Sequence, residues 1–325
     1  MMMKIEKNVL VTGAAGFIGR HVSRMLRNDG FQVFGVDWDE EASSRALTED
    51  ESIIQICSFD NYDVINKVRS GFYQSVVHLA ATARVPLSVA DPVGTHVNNV
   101  ERTLLLLNAC RDKDVRLVFA GSSAVYGDID VFPTIESSPK NPTSPYGLQK
   151  LIVDDYIKMF HMLYGSDMCS LRFFNVYGPG QYLGGSYPMA ITAWTWSVAN
   201  GSTPVLYGDG SIMRDYTYVG DVAEAITMAV KSSPRLDGRS YNVCSGTSLS
   251  MLDVWNHVKS ASKFSGDIAF APPRAGDARK THGSFSHTSA RFGWTPSTPF
   301  KNGVEKTWEW VSRESSKLSL QSIPV

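Results

Sequence analysis

The sequence predicts an α/β fold built on a doubly wound parallel sheet, and three segments near the N-terminus support this prediction. Asn8–Thr12 is a short apolar, β-branched run that leads into a glycine-rich turn. Phe17–Asn28 carries apolar residues close to a 3.6-residue spacing, which is typical of a helix, and Phe31–Val36 is typical of a second strand that ends at Asp37. A strand, a helix and a strand in close succession form a βαβ unit, which requires a parallel sheet.

The same alternation continues along the chain. We predict further strands at Ser75–Leu79, Arg116–Ala120 and Cys169–Phe173, and a helix at Val100–Arg111. Another helix begins at Ser144-Pro145, because a hydroxyl residue is favoured at the cap and proline is favoured in the first turn. It ends before Gly165, a residue suited to the C-cap.

The character of the chain changes after about Asn175, where Gly178–Ser186 is rich in loop-forming residues. We therefore predict two domains. Residues 1–174 form a Rossmann-type doubly wound parallel sheet that binds a dinucleotide, and residues 175–325 form a smaller mixed α/β C-terminal substrate domain. Part of residues 209–245 is expected to return to the first domain.

Composition excludes several classes of function. The 31 basic and 32 acidic side chains give a net charge of -1, and no basic stripe is present, so we predict no nucleic-acid partner. The four cysteines lie far apart, which argues against a metal site and a disulfide framework and favours a cytoplasmic location. No apolar run reaches the roughly 18 residues of a membrane span, so we predict no membrane partner.

A glycine-rich turn between the first strand and the first helix predicts a dinucleotide site. Gly13, Gly16 and Gly19 let the backbone turn tightly and approach a pyrophosphate at the helix N-terminus. Asp37 ends the second strand about 20 residues on, where a carboxylate binds the ribose hydroxyls of NAD and repels the 2′-phosphate of NADP. Arg20 is the one nearby cation that could offset this repulsion, and we predict NAD.

Tyr146 and Lys150 lie four residues apart on one predicted helix and therefore share a face. A free tyrosine has a pKa of about 10 and is a poor base near neutrality, whereas a neighbouring ammonium group favours the phenolate. Ser122, at the end of the preceding strand, is placed to orient a reacting oxygen. These three residues are the predicted catalytic set, with Ser123 as the alternative serine.

The spacing of the three glycines, together with six later blocks, resembles the extended short-chain dehydrogenase/reductase family, specifically its NAD-dependent epimerase/dehydratase members and their UDP-sugar 4-epimerases. Arg102 stands in the second block where the family usually has glycine. The blocks, in chain order, are His78–Ala81, Asn99–Thr103, Gly121–Gly127 with Tyr146–Lys150, Leu171–Pro179 and Arg214–Val222.

The resemblance implies roles for further residues and a homodimer formed through the helix near Tyr146 and the one before it. The implied cofactor-binding residues are Gly13, Gly16, Phe17, Ile18, Gly19, Asp37, Leu79, Ala80, Ala81, Asn99, Tyr146 and Lys150. The implied substrate-binding residues, which would hold a UDP-sugar, are Ser122, Ser123, Asn175, Tyr207, Arg214, Arg274, Asp277 and Thr281.

Departures from relatives narrow the expected reaction. Family members that eliminate water carry an Asp-Glu pair after the catalytic hydroxyl, whereas this chain has Ser123-Ala124. The second lysine of similar heptose epimerases falls at Gly184. We therefore expect C4 epimerisation of a UDP-glucose/UDP-galactose or UDP-GlcNAc/UDP-GalNAc type. The alternatives are a UDP-glucuronate 4-epimerase, another NAD-dependent sugar modifier such as a dehydratase or reductase, and a non-catalytic NAD-binding protein.

Three positions bear on specificity. Thr281 aligns with a gate residue beside the sugar, where a small side chain leaves room for an N-acetyl group or a C6 carboxylate. The aspartate that contacts adenine in relatives, expected near Cys57-Ser58, is missing. The loop Gly180–Met189 matches no single subfamily.

Overall fold

The computed structural model describes residues 7–40, 54–183, 189–273 and 279–321, with side chains described through Ser316. Its strands are β1 (Asn8–Thr12), β2 (Gln32–Asp37), β3 (Ile54–Ile56), β4 (Ser75–His78), β5 (Arg116–Ser122), β6 (Met168–Phe173), β7 (Asn175–Tyr177), β8 (Val205–Tyr207), β9 (Met213–Tyr218), β10 (Ser240–Val243), β11 (Ser248–Ser250) and β12 (Ala269–Ala271). Its α-helices are α1 (Phe17–Asn28), α2 (Tyr62–Ser70), α3 (Val85–Ala90), α4 (Pro92–His96), α5 (Arg102–Asp112), α6 (Pro145–Tyr164), α7 (Ala190–Ala199), α8 (Val219–Lys231), α9 (Met251–Ser262), α10 (Ser286–Phe292) and α11 (Phe300–Gln321).

Seven strands form one sheet in the order β10-β6-β5-β4-β1-β2-β3, and every neighbouring pair is parallel. The chain runs outward from β1 to β3, then returns beside β1 and runs outward in the other direction. This reversal creates the crevice at the carboxyl ends of the strands where ligands bind in such sheets. The predicted Rossmann-type fold class is confirmed.

Both faces of this sheet are covered, so the residues of its central strands β1 and β4 are buried in succession rather than alternately. On one face, α1 and α8 pack against the sheet through side chains such as Leu26 and Ile226. On the other face, α2, α5 and α6 pack against it through side chains such as Val68, Leu107 and Ile157. The strand β10 lies in the segment predicted to return to the first domain, and it completes the sheet beside β6.

A second, smaller core lies after β6. It joins α7, α9 and α11 around Trp194, Trp255 and Val304, next to a three-stranded sheet (β11-β9-β7) and a two-stranded sheet (β12-β8). The predicted boundary between residues 174 and 175 falls between β6 and β7, and the division into two domains stays a prediction.

Two local predictions are confirmed at α6. Ser144 caps the helix by accepting a hydrogen bond from the Gly147 amide, and Gly165 ends it with a φ of 66°. The helix predicted at Val100–Arg111 differs at its start, because a π-helical segment, Val97–Glu101, precedes α5. In the part of the chain that the structure describes, every helix is too short or too polar to span a membrane.

Candidate active site

The glycine-rich turn lies at the crevice between β1 and β4. Gly13 has a φ of +70°, and a Cβ atom there would lie 2.8 Å from the Ala80 amide nitrogen. A Cβ atom on Gly19 would lie 2.1 Å from the Gly13 carbonyl oxygen. Both positions therefore require glycine. Phe17 and Ile18 begin α1 and pack against the core beneath the turn.

The N-terminus of α1 has the features of an anion site. Its cap residue is Gly16, whose lack of a side chain leaves the first helical amides without a side-chain cap. Amides at a helix N-terminus favour a negatively charged ligand, because the helix dipole is positive there. The turn thus offers backbone donors and close approach, as a pyrophosphate requires.

Asp37 lies at the carboxyl end of β2 and faces the same crevice. Its carboxylate accepts hydrogen bonds of 3.0 Å from the Ala15 amide and 3.2 Å from the Asp39 amide. Burial raises the pKa of Asp37, and these backbone donors oppose the rise. Arg20, the one cation considered as a partner for a 2′-phosphate, donates instead to the Gly180 carbonyl oxygen over 2.8 Å. This contact fits the preference for NAD over NADP.

One pocket joins half of the predicted cofactor-binding positions. It is lined by Gly13, Gly16, Val36, Asp37, Trp38, Asp39, Cys57, Ser58, Phe59, Leu79, Ala80, Ala81 and Asn98. The pocket combines the glycine turn, the uncapped helix end and the β2 carboxylate. These residues fit the diphosphate and ribose of NAD.

The end of β4 is fixed by a buried hydrogen-bonded histidine. His78 Nδ1 lies 2.7 Å from the Thr12 hydroxyl, and its Nε2 lies 3.0 Å from the Thr103 hydroxyl. Burial, with a smaller effect of Lys150, lowers the pKa of His78 to about 3. The imidazole is therefore neutral near pH 7. It holds the strand end that leads to Leu79, Ala80 and Ala81.

Asn99, predicted to bind the cofactor, lies buried in the π-helical segment. Its Nδ2 donates to the Thr82 carbonyl oxygen over 3.1 Å and to Gln149 Oε1 over 2.8 Å. Its Oδ1 accepts from the Thr82 amide over 2.7 Å. Both amide hydrogens are therefore used within the protein. Asn99 holds the segment after Ala81 against α6.

The three predicted catalytic residues come together at the ends of β5 and α6. The Ser122 side chain lies beside the Tyr146 hydroxyl and lowers the pKa of Tyr146. The Ser122 hydroxyl also accepts a 3.2 Å hydrogen bond from the Ala124 amide. Lys150 Nζ lies 5.9 Å from the centre of the Tyr146 ring and 4.5 Å from that of Phe119. The contact with Tyr146 favours Ser122 over Ser123 as the catalytic serine.

The surroundings of Tyr146 and Lys150 shift the pKa of each side chain. Burial raises the pKa of Tyr146, and the neighbouring Ser122 side chain opposes this rise. Burial lowers the pKa of Lys150 to about 8, and the Asp154 carboxylate opposes this change. A phenolate at Tyr146 near neutral pH therefore depends on added positive charge at the site, as the sequence predicts.

A buried charged network behind Lys150 was not identified in the sequence. Asp154 lies one helical turn after Lys150 and accepts a 2.7 Å hydrogen bond from Arg172 Nε. Arg172 also donates to the Tyr126 hydroxyl over 2.9 Å, and that hydroxyl donates to Asn242 over 2.7 Å. The spacing of Lys150 and Asp154 is the only sequence signal for it, because Arg172 belongs to another element.

Two of the predicted substrate-binding residues, Asn175 and Thr281, meet beside β9. Thr281 Oγ1 accepts hydrogen bonds of 3.0 Å from the Asp215 amide and 3.2 Å from Asn175 Nδ2. Asn175 Nδ2 also donates to the Asp215 carbonyl oxygen over 2.8 Å. The Asn175 donors are thus used within the protein, and its side chain links β7 to β9 and to Thr281.

The remaining predicted substrate-binding residues that the structure describes on strands lie on separate elements. Arg214 lies on β9 next to Asp215, and its Nη1 donates to the Met213 carbonyl oxygen over 3.0 Å. Tyr207 ends β8 and is exposed. Arg274, Asp277 and Gly184 lie outside the described residues.

Comparison with known proteins agrees with this geometry. The profile of the NAD dependent epimerase/dehydratase family matches residues 9–244. A UDP-glucose 4-epimerase from Mycolicibacterium smegmatis is 33% identical over 315 residues, which cover 94% of this chain and 99% of that protein.

Two solved structures are similar along nearly their whole length. The UDP-N-acetylglucosamine 4-epimerase from Methanobrevibacter ruminantium, in complex with UDP-N-acetylmuramic acid, is 31% identical with a TM-score of 0.89, and the match covers 95% of this chain and 99% of that one. The Thermus thermophilus UDP-glucose 4-epimerase, in complex with NAD, is 32% identical with a TM-score of 0.83, and the match covers 94% and 98%. The predicted family and its cofactor, NAD, are confirmed. The chain belongs to the NAD-dependent epimerase/dehydratase family.

Proposed function

We propose that this protein is a UDP-sugar 4-epimerase that oxidises its substrate transiently at C4 and reduces it again on the opposite face. The observation that carries this proposal is the proximity of Ser122 to Tyr146, whose pKa it lowers, with Lys150 Nζ 5.9 Å from the centre of the Tyr146 ring, at the carboxyl end of β5. The names of the relatives, which are 4-epimerases of UDP-glucose and UDP-N-acetylglucosamine, support it.

Ser122 and Tyr146 have different roles at the reacting oxygen of the sugar. Ser122 holds the C4 oxygen of the sugar by a hydrogen bond, and Tyr146 takes the proton of that hydroxyl group. Lys150 favours the tyrosinate by its positive charge. The glycine turn and Asp37 would hold NAD, which would supply the acceptor for the C4 hydride and the source of its return. The proton returns from Tyr146 to the same oxygen, so the product is an epimer with no net redox change.

The neighbours of Ser122 favour this simple reaction over elimination or decarboxylation. Ser123 and Ala124 form a single 3₁₀ turn after it, and neither carries a carboxylate or a thiol. Ala124 contributes a backbone donor to the serine oxygen rather than a side chain. A second acid or base, which a dehydratase needs, is not provided by this segment.

We infer that the sugar pocket accepts UDP-glucose or UDP-N-acetylglucosamine, with UDP-glucuronate as the alternative. Thr281 is half-buried and small, and the hydrogen bonds of its hydroxyl to Asn175 and Asp215 turn it toward the protein. The small size of this side chain, compared with a tyrosine, favours an N-acetyl group or a C6 carboxylate. Arg214 and Arg274 are the proposed diphosphate contacts, because guanidinium groups bind phosphate oxygens bidentately.

We further infer a homodimer. Between α4 and α6 lies a groove, the Val93 groove, lined in part by Pro92, Val93, Val97, Leu148 and Ile152. Val93 and Leu148 are exposed there, and α6 carries further exposed apolar residues at Met159, Met162 and Leu163. An apolar face of this extent marks an interface, and two copies related by a two-fold axis would cover it with the same face.

Sedimentation velocity tests the dimer. Val93→Glu should shift the protein to a monomer, because it places a charge in the interface. Val131→Glu is the matched control, since Val131 is equally exposed at 73% but lies outside the groove. A Val93→Glu protein that sediments as the wild type would contradict this dimer.

The cytoplasmic location stays a prediction. All four cysteines are free thiols.

The reaction is tested by incubating the purified protein with UDP-glucose, UDP-N-acetylglucosamine and UDP-glucuronate in separate experiments, and resolving the nucleotide sugars by chromatography. We expect conversion of at least one of them to its 4-epimer without accumulation of NADH. A released keto sugar or stoichiometric NADH would contradict the proposal in favour of a dehydratase or an oxidoreductase. Bound NAD without conversion of any sugar would favour a non-catalytic protein.

A further inference from the structure

The cofactor pocket continues beyond Asp37 to the turn that follows β3. Cys57, Ser58 and Phe59 line this end of it. The Cys57 amide donates to the Asp37 carbonyl oxygen over 2.9 Å, which holds the turn against the end of β2. Because the pyrophosphate fits the glycine turn and the ribose fits Asp37, the adenine base of a bound NAD would extend to this turn.

The turn lacks the carboxylate that the resemblance leads us to expect beside adenine, and a hydrogen-bonded serine stands there. The Ser58 hydroxyl donates to Asp60 Oδ1. The other oxygen of Asp60 lies 3.4 Å from Arg102 Nε. Arg102 is the residue that replaces the family's usual glycine, and it projects from the start of α5 onto Asp60.

This arrangement determines whether the Ser58 hydroxyl group donates or accepts a hydrogen bond toward a ligand. A hydroxyl group has one hydrogen to donate and two lone pairs that accept. The Ser58 hydrogen is directed at Asp60, so its oxygen has only lone pairs left to offer a ligand in the pocket that Ser58 lines. Arg102 binds the far oxygen of the carboxylate, which keeps the near oxygen directed at the serine.

We propose that Ser58 recognises the adenine amino group of NAD, with Asp60 and Arg102 as the positioning residues that make the serine oxygen an acceptor. The amino group of adenine is a hydrogen-bond donor, whereas hypoxanthine carries a carbonyl oxygen at the same position. An oxygen acceptor on the protein forms a hydrogen bond with the adenine amino group. The same acceptor has no partner when it faces the hypoxanthine carbonyl oxygen. The inference rests on NAD as the cofactor and not on the sugar or the reaction.

Binding of NAD and of nicotinamide hypoxanthine dinucleotide, measured by titration calorimetry on protein freed of nucleotide, tests this proposal. The wild type should bind NAD about five- to tenfold more tightly than the hypoxanthine analogue, as expected for one neutral hydrogen bond. Ser58→Ala should lose this preference by weakening NAD binding. Ser70→Ala, at an exposed serine on α2, is the matched control and should behave as the wild type.

Asp60→Asn tests the positioning role while keeping Ser58. Arg102 would hold the oxygen of the new side-chain amide, so the amide nitrogen would donate to Ser58 and free the serine hydrogen to face the base. The preference should then fall to about one or reverse. The proposal is overturned if Ser58→Ala keeps the full preference for NAD, or if Asp60→Asn leaves it unchanged. Because the experiment measures cofactor binding, its result tests the role of Ser58 even if the protein epimerises no sugar.

Discussion

Lys150 Nζ donates a 2.8 Å hydrogen bond to the carbonyl oxygen of Ala120. Ala120 lies on β5, two residues before Ser122, and Lys150 lies on α6, one turn after Tyr146. This bond therefore joins the two elements that carry the candidate catalytic residues. The Lys150 side chain is almost completely buried, and the bond gives its ammonium group a hydrogen-bond acceptor there.

The pH dependence of activity follows from this burial. Because burial lowers the pKa of Lys150 to about 8, the charge that supports the tyrosinate is lost above that pH. We expect kcat/KM to fall above about pH 8, and Lys150→Arg to remove this alkaline decline, because the guanidinium group stays charged. An unchanged decline in the arginine variant would show that another group titrates.

The same shift makes a prediction for stability. The folded protein loses the Lys150 proton near pH 8, whereas the unfolded chain holds it to about 10.5, so Lys150 makes stability rise with pH between these values. Below pH 8 the cost of the buried charge is present in full. We expect Lys150→Met to remove this rise in the free energy of unfolding, measured with urea at pH 7 and pH 10. The idea fails if wild type and variant change equally with pH.

Gly13→Ala should weaken NAD binding at least tenfold and destabilise the fold. The new Cβ would meet the Ala80 backbone at 2.8 Å, and the backbone would be strained at a φ of +70°. Gly30→Ala separates the two effects, because Gly30 has a φ of +82° but no atom within 4 Å of its Cβ position. That control should lose about 1 kcal/mol of stability from the positive φ alone and keep its affinity for NAD. Equal affinities in the two variants would contradict a role for the close approach.

Thr281→Tyr should suppress turnover of UDP-N-acetylglucosamine and UDP-glucuronate more than that of UDP-glucose. A tyrosine fills the space beside the proposed sugar site and removes the hydroxyl that accepts from Asn175 and Asp215. Thr281→Ser keeps that acceptor and should keep the wild-type order of substrates. The measurement is kcat/KM on each sugar. Equal loss on all three sugars would show that Thr281 supports the fold rather than specificity.

Much of the fold was predictable because continuous apolar runs and helical spacing repeat along the first half of the chain. β1 and α1 have the predicted bounds, and the other predicted strands differ by one or two residues at their ends. The π-helical segment Val97–Glu101 was not predictable, since its apolar pattern does not distinguish it from the start of α5. The short strand β3 follows a segment with no clear apolar period, and it was also missed.

The candidate site was predictable where geometry follows from a strand end. Asp37 and Ser122 end β2 and β5, and the carboxyl ends of parallel strands meet at one edge of the sheet, so both residues were expected at the crevice. The partners of amide side chains were not predictable. Asn99 and Asn175 were assigned to ligands, but each uses its donors on backbone or side-chain groups brought together from distant segments. The pairing of Asp154 with Arg172 depends on tertiary contact in the same way.

Replacement of Tyr146 by phenylalanine tests the central proposal most directly. The variant keeps the ring and loses only the hydroxyl that takes the proton, and Tyr156→Phe on the same helix is the matched control. With NAD bound and the UDP-sugar that the wild type converts, we predict that Tyr146→Phe lowers kcat by about a thousandfold, within the usual range for general acid–base groups, while Tyr156→Phe stays near wild type. A folded, NAD-loaded Tyr146→Phe protein that epimerises as fast as the wild type would contradict the proposed mechanism.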